Sequence, residues 1–320
     1  MDTLDIIRLN LLSPMTLSFV LGVVAALLRS DLKFPEPVYA ALSIYLLLAI
    51  GMKGGAALAV APLADVAAPG LGGIALGLLI PLWAFAALRR LGGFAPVDAA
   101  AIAAHYGSVS AVTFIAAIAY VQSLGHPAEG FMPAVLAVME VPAIVVALLL
   151  AREGRGGGAW RTALHEVLAG RSIVLLAGGL AIGFLAGPQG YAKVAPFFAE
   201  PFQGALCLFL LELGMIAAAR LREARHVGSF LVGFALLAPL ANGALGVALG
   251  RATGLSLGGS AVLGTLAASA SYIAAPAAVR LALPAANPGY YLTASLAITF
   301  PFNLVVGLPI YVGMAKLLFR

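Results

Sequence analysis

Ala99-Ala100-Ala101-Ile102-Ala103-Ala104-His105-Tyr106-Gly107-Ser108-Val109-Ser110-Ala111-Val112-Thr113-Phe114-Ile115-Ala116-Ala117-Ile118-Ala119-Tyr120-Val121 decides how this chain is read. The stretch is 23 residues long and lacks Asp, Glu, Lys and Arg. A helix needs about 20 residues to cross about 30 Å of hydrocarbon, so it is long enough to span a membrane. Its centre, however, holds a glycine and two serines one residue apart. Small residues and paired hydroxyls at membrane depth mark the place where a transporter helix is expected to break.

Working outward, hydrophobic residues make up 62% of the 320 residues and charged residues 10%, against roughly 25% charged in a soluble domain. That balance excludes a disordered chain, a soluble enzyme and a nucleic-acid-binding domain, and leaves an all-α polytopic membrane protein. Breaks at charges, Pro and Gly give ten candidate spans near 14–30, 37–57, 69–88, 97–122, 130–151, 172–188, 194–219, 228–249, 256–282 and 289–317. The runs are continuously apolar, whereas a membrane β-barrel would alternate lipid-facing and lumen-facing residues. The net charge of +5 follows from basic loops rather than from a polyanion partner. The single cysteine, Cys207, excludes an internal disulfide. Asp2 and Asp5 before Arg8, with no small-residue cleavage site, do not read as a signal peptide.

The two halves of the chain echo one another. Leu47-Leu48-Ala49-Ile50-Gly51-Met52 matches Leu210-Leu211-Glu212-Leu213-Gly214-Met215, and Gly107-Ser108-Val109-Ser110 matches Ala268-Ser269-Ala270-Ser271. Val138-Met139-Glu140-Val141-Pro142 matches Ile298-Thr299-Phe300-Pro301-Phe302. The offsets of 163, 161 and 160 keep nearly one register. Residues 1–151 and 172–320 thus read as two five-helix repeats joined by a linker, 152–171. Five spans per half force the second to insert upside down, the inverted-repeat plan of secondary transporters. Chance similarity in an Ala/Gly/Leu background is the competing account.

Breaks in the fourth and ninth spans would present free N–H groups to an anion and free carbonyls to a cation. Gly107, Ser108, Val109 and Ser110, with Ser269, Ala270 and Ser271, are therefore the candidate substrate-binding residues. Close helix packing is the plainer explanation of small residues there. Candidate sodium ligands are Asp98, Thr113, Glu140, Thr299 and Asn303, because a hard cation takes oxygen ligands and an intramembrane carboxylate is costly. Asp98 also reads as an acid complementing the dipole of the helix it opens, and Asn303 as a tie between helices. Glu212 suits a helix–helix or subunit contact, His105 a hydrogen-bonded interior position, and Lys53 a side chain snorkelling to the interface. After the glycine-rich tether 154–158, Trp160, Leu164, Val167 and Leu168 suit a segment lying on the membrane surface. No metal-ligand cluster, phosphate loop or nucleophile triad is visible.

These residues resemble the sodium-dependent bicarbonate permeases of the SbtA type, over about residues 14 to 316. The resemblance is carried by Leu266-Ala267-Ala268-Ser269-Ala270-Ser271-Tyr272-Ile273-Ala274-Ala275-Pro276-Ala277-Ala278-Val279-Arg280, and by the stretch from Ala285-Ala286-Asn287-Pro288 to Thr299-Phe300-Pro301-Phe302-Asn303. Met52-Lys53-Gly54-Gly55, Asp98-Ala99-Ala100-Ala101, Gly107-Ser108-Val109-Ser110 and Glu140-Val141-Pro142 carry it in the first half. It implies a homotrimeric elevator, with spans 1, 2, 6 and 7 static and spans 3–5 and 8–10 mobile, taking up bicarbonate with sodium. The cyanobacterial pattern has Asp where Glu140 stands, and small or hydroxyl residues where Ala111 and Val112 stand, which implies a different ion geometry here. The cytoplasmic loop is shorter than in cyanobacterial members, which argues against the PII-like regulator the resemblance would otherwise suggest. Another small anion (a short carboxylate or sulfate), a membrane sensor that has lost transport and a passive channel are the competing functions.

Orientation in the cytoplasmic membrane follows from basic residues. One side holds Arg29, Lys33, Arg89, Arg90, Arg152, Arg155, Arg161, Arg171, Arg220, Arg222, Arg225 and Arg280, against Arg8, Lys53, Lys193, Arg251, Lys316 and Arg320 on the other, 12 to 6. Both termini are expected outside and 152–171 inside. A cysteine introduced at Gly157 should resist an impermeant thiol reagent on intact cells and react once the membrane is opened; ready labelling of intact cells would reverse the orientation.

Overall fold

The computed structural model describes residue 8, residues 10–150, residue 165, and residues 168–221 and 227–319. Most of the linker 152–171, including Trp160, Leu164 and Val167, lies outside them. The described residues form helices and no strand. In chain order these are α1 (Pro14–Leu27), α2 (Glu36–Leu58), α3 (Leu63–Arg90), α4 (Pro96–Gly107), α5 (Ala111–Ser123), α6 (Met132–Met139) and α7 (Pro142–Leu150). The second half gives α8 (Arg171–Phe198), α9 (Phe202–Leu221), α10 (Ser229–Ala252), α11 (Leu257–Ala268), α12 (Ala274–Ala282) and α13 (Pro288–Leu318). Among the described residues seven runs are long and apolar enough to cross a membrane: α2, α3, α4 with α5, α8, α9, α10 and α13. The chain is a multi-pass membrane protein.

Several boundaries differ from the sequence expectation. The third span begins at Leu63 rather than 69 and the seventh at Phe202 rather than 194. Two further differences have a clear local cause. The stretch 130–151 is two helices rather than one, divided at Glu140-Val141 ahead of Pro142, whose ring nitrogen cannot donate within a helix. The expected stop at 188 is a bend. Gly187 takes a left-handed φ of 63°, and with Pro188 fixing φ at the start of the next turn the helix resumes and runs on to Phe198.

Helices in lipid gain little from the hydrophobic effect and associate through close contact, which favours glycine. A Cβ on Gly22 of α1 would lie 1.9 Å from the Leu211 carbonyl oxygen of α9, and one on Gly214 would lie 2.1 Å from that of Phe19. The α2–α8 pair repeats the device, with Gly55 against Leu180 O and Gly183 against Met52 O, each at 2.1 Å. Burial separates the layers. Some 94% of the apolar window in α4 and α5 is buried, against 17% in α8. The serine-bearing break therefore lies at the centre of the molecule and α8 at its edge.

In α13 the backbone widens into π-helical turns at Thr293–Thr299 and Asn303–Gly307. Pro309 offers no N–H to the carbonyls of Leu304 and Val305, five and four residues earlier. The Asn10 amide supplies both donors, at 2.9 and 3.0 Å. The segment before α1 is thereby fastened to the last helix.

The glycine contacts are testable. Gly55→Ala forces a methyl group against a backbone carbonyl and should cost about 1–3 kcal/mol, read as a lower unfolding temperature in detergent. Gly178→Ala, where a Cβ meets nothing within 4 Å, should leave that temperature unchanged or raise it.

Candidate functional site

The fourth and ninth spans are each interrupted by extended backbone. Ser108 (φ −89°, ψ 148°) ends α4 and Ser110 (φ −107°, ψ 113°) precedes α5. Ser269 (φ −79°, ψ 162°) ends α11, and α12 starts at Ala274. Serines at equivalent places in the two breaks perform the same local task. Ser110 Oγ accepts from the Thr113 N–H at 3.2 Å, and Ser271 Oγ accepts from the Ala275 N–H at 3.2 Å. Each hydroxyl caps its own half-helix and keeps its proton to donate.

Backbone groups freed by one break are satisfied by the other. The Ser110 N–H donates to Ser269 Oγ at 2.9 Å. The Ser271 N–H is shared between the carbonyls of His105, at 2.8 Å, and Ser108, at 3.2 Å. Ser108 Oγ donates to the Glu140 carbonyl at 3.1 Å, which draws the α6–α7 junction against the same point. Gly107 is needed here for space: a Cβ would lie 2.6 Å from Pro81 Cδ and 2.7 Å from Ala143 Cβ.

A cavity of about 10 Å³ lies where the segments converge, lined by Val109, Ser110, Ala111, Glu140, Ser172, Ser271, Tyr272, Ile273 and Ala274. That is the space of about one water. The N-terminal ends of α5 and α12 both face it, and the first N–H groups of any helix lack intrahelical acceptors. Two positive helix ends thus meet at one point, as an anion requires. Glu140 is 2% exposed, and its Oε2 has no partner among the described residues. A carboxylate oxygen is the kind of ligand a hard cation takes, whereas the two helix ends favour an anion. Among the described residues no group of three His, Cys, Asp or Glu side chains could hold a metal.

The structure thus brings together Val109, Ser110, Ser271 and Glu140, and sets Ser108, Ser269 and Gly107 directly behind them. Thr113 is buried in the first turn of α5, and Ala270 in the second break. The remaining expected ligands are otherwise engaged. Asp98 stands nine residues before the end of α4, about 14 Å along the axis, and accepts from the Asn287 N–H at 2.8 Å. Thr299 donates to the Ala235 carbonyl at 2.7 Å, which leaves the Tyr106 hydroxyl, also at 2.7 Å, as donor to it. Asn303 donates from Nδ2 to the Ala268 carbonyl at 2.9 Å, capping α11, while Oδ1 accepts from Tyr311 at 2.8 Å. It is the tie between helices that its sequence context allowed.

His105 is an interior residue, its Nδ1 on the Ala101 carbonyl at 2.7 Å and its ring stacked on Tyr291 at 4.5 Å. Lys53 is exposed and lines a second, wider cavity of about 480 Å³, with Gln122, Glu129, Glu200 and Gln203. The sequence reading did not anticipate Ser172, a lone serine with no motif around it. Only the packing of α8 against α12 brings it to the site.

A family model of the Na+-dependent bicarbonate transporter superfamily matches residues 14–316, a span that contains both breaks and Glu140. The chain belongs to the Na+-dependent bicarbonate transporter superfamily. Membership of a transporter family accounts for the lack of catalytic motifs and implies that the chain is not an enzyme. No curated protein matches the chain.

The roles assigned to Asn303 and Glu140 separate in a stability measurement. Asn303→Ala leaves the Ala268 carbonyl and the Tyr311 hydroxyl buried without partners, at about 1–3 kcal/mol each, and should lower the unfolding temperature clearly. Glu140→Gln breaks no hydrogen bond of its Oε2 and should leave that temperature close to wild type.

Proposed function

We propose that the chain takes up bicarbonate across the cytoplasmic membrane, coupled to sodium, by an elevator motion within a homotrimer. The observation that carries this is the convergence of two serine-capped half-helix N-termini on one small cavity that also holds an unpartnered carboxylate. The helix ends and hydroxyls there suit a small anion, and the cavity, now the size of one water, must widen to admit bicarbonate. The arrangement also explains coupling. A buried carboxylate repels an anion, and a sodium ion bound to Glu140 removes that repulsion, so anion affinity rises with sodium. Thr113, in the adjacent first turn of α5, is the further oxygen ligand we assign to the ion; Asp98, Thr299 and Asn303 serve structure instead.

The inverted-repeat reading gains support from packing as well as sequence. Exchanging the halves turns the α1–α9 pair into the α2–α8 pair, and both pairs are built on glycine-to-carbonyl contacts. It also exchanges Ser110 with Ser271, which cap their helices alike. On this plan α1, α2, α8 and α9 form the static scaffold, and α3–α7 and α10–α13 the mobile core. The serine site lies at the N-terminal end of α8, while the 480 Å³ cavity lies beside its C-terminal end, at Phe198 and Ala199. That offset fits a core displaced toward the linker side, which the basic-residue count makes cytoplasmic.

Labelled bicarbonate uptake into proteoliposomes, with and without a sodium gradient, tests the function. Accumulation only with inward sodium supports it; sodium-independent equilibration, or binding without accumulation, would mean a channel or a sensor. Ser110→Ala and Ser271→Ala should each weaken bicarbonate by about 10- to 150-fold, the effect of one hydrogen bond to a charged partner. Glu140→Ala should raise the sodium concentration for half-maximal uptake, and an unchanged sodium dependence would remove it from the ion site.

A further inference from the structure

Ser172 is the cavity-lining side chain that comes from neither helix break nor the α6–α7 junction. It stands in the first turn of α8, after Gly170, which supplies no side-chain cap. The residue is 7% exposed and its side chain lines the cavity. A serine hydroxyl both donates and accepts, so it can bind a polar group in the space in front of it. That space is the cavity it shares with Ser110, Ser271 and the unpartnered Glu140 Oε2. The next residue, Ile173, packs with Val141 against Ala275 and Ala278 of α12, which fixes the start of α8 against the second break. The α8 N-terminus is thus a third positive helix end at the cavity.

We infer that Ser172 is a third hydroxyl of the anion site, supplied by α8 and engaged only while the two breaks sit at the N-terminal end of that helix. The inference rests on the proposed function: α8 belongs to the scaffold there, and the breaks to the moving core. A hydroxyl fixed to the scaffold contributes to binding in one position and is left behind in the other. Ser110 and Ser271 travel with the site and contribute in both. Ser172 therefore distinguishes the two faces of the membrane, strengthening anion binding from the linker side alone.

The test is counterflow of labelled bicarbonate at equal sodium in right-side-out and inverted membrane vesicles carrying the full chain. For Ser172→Ala the half-saturating concentration should rise about tenfold or more from the linker face and stay at the wild-type value from the opposite face. Ser172→Thr, which keeps the hydroxyl, should behave as wild type on both faces. Should the alanine variant fail to fold, Ser172→Cys, close in size but a weak donor, should give the same one-sided loss. Unchanged values on both faces, an equal loss on both, or a threonine variant as weak as alanine would each overturn the inference. Ser110→Ala run in parallel keeps the two ideas apart. If it weakens both faces while Ser172→Ala weakens neither, only the role of Ser172 falls; if it too changes nothing, the anion site itself is misassigned.

Discussion

Inside a bilayer a backbone N–H or carbonyl without a partner has no water to turn to, and each costs several kcal/mol. Breaking two helices at the centre of the protein is therefore possible only if the freed groups find one another. Here they do. The Ser110 N–H reaches Ser269 Oγ, and the Ser271 N–H reaches the carbonyls of His105 and Ser108. The breaks are mutually dependent, because the Ser110 and Ser271 N–H groups each find their acceptors in the opposite segment. The rest of the architecture serves this crossing. Ser108 draws in the α6–α7 junction, Asn303 caps the carbonyl end of α11, and Asp98 fastens the loop ahead of α13.

What remains unsatisfied at the crossing gives the site its chemistry. Carbonyl ends of the half-helices are largely taken up by protein, by Asn303 at Ala268 and by Ser271 at His105. The N-terminal ends of α5 and α12 instead face the cavity. The balance of free groups is thus positive, with one carboxylate, Glu140, set against it. An anion is attracted by the first and repelled by the second, and on the proposed function a sodium ion resolves that conflict. Transport coupling then needs no long-range signal, since both ions act on the same few ångströms.

Close glycine contacts hold other helices together, including α10 and α11, where a Cβ on Gly246 would lie 2.8 Å from the Leu263 carbonyl oxygen. Glycines in α1, α2, α8 and α9 bring backbone against backbone, with no room for even a methyl group. Contacts of that kind fix helices rigidly, which suits the scaffold of the proposed function. The cavity joins the breaks to this packing, since Ser110 and Ser271 lie in the breaks and Ser172 at the end of one of the glycine-packed helices.

The sequence alone determined the solvent in which this chain lives, because no soluble surface could accommodate its apolar content. It also located the two breaks, since Gly107-Ser108-Val109-Ser110 and Ser269-Ala270-Ser271 are local signals of small size and hydrogen-bonding capacity. Glu140 stood out for the same local reason, a charge in a run of apolar residues. The partners of each polar group lay beyond it. Asn303, Thr299 and Asp98 have oxygens that suit a cation, yet Ala268, Tyr311, Ala235 and Asn287 already engage them, residues 8 to 189 positions away along the chain. Ser172 shows the converse, an unremarked serine made part of the site because α8 packs there. Composition and local spacing fix what a residue is able to bind; which group reaches it first is decided by how the helices cross.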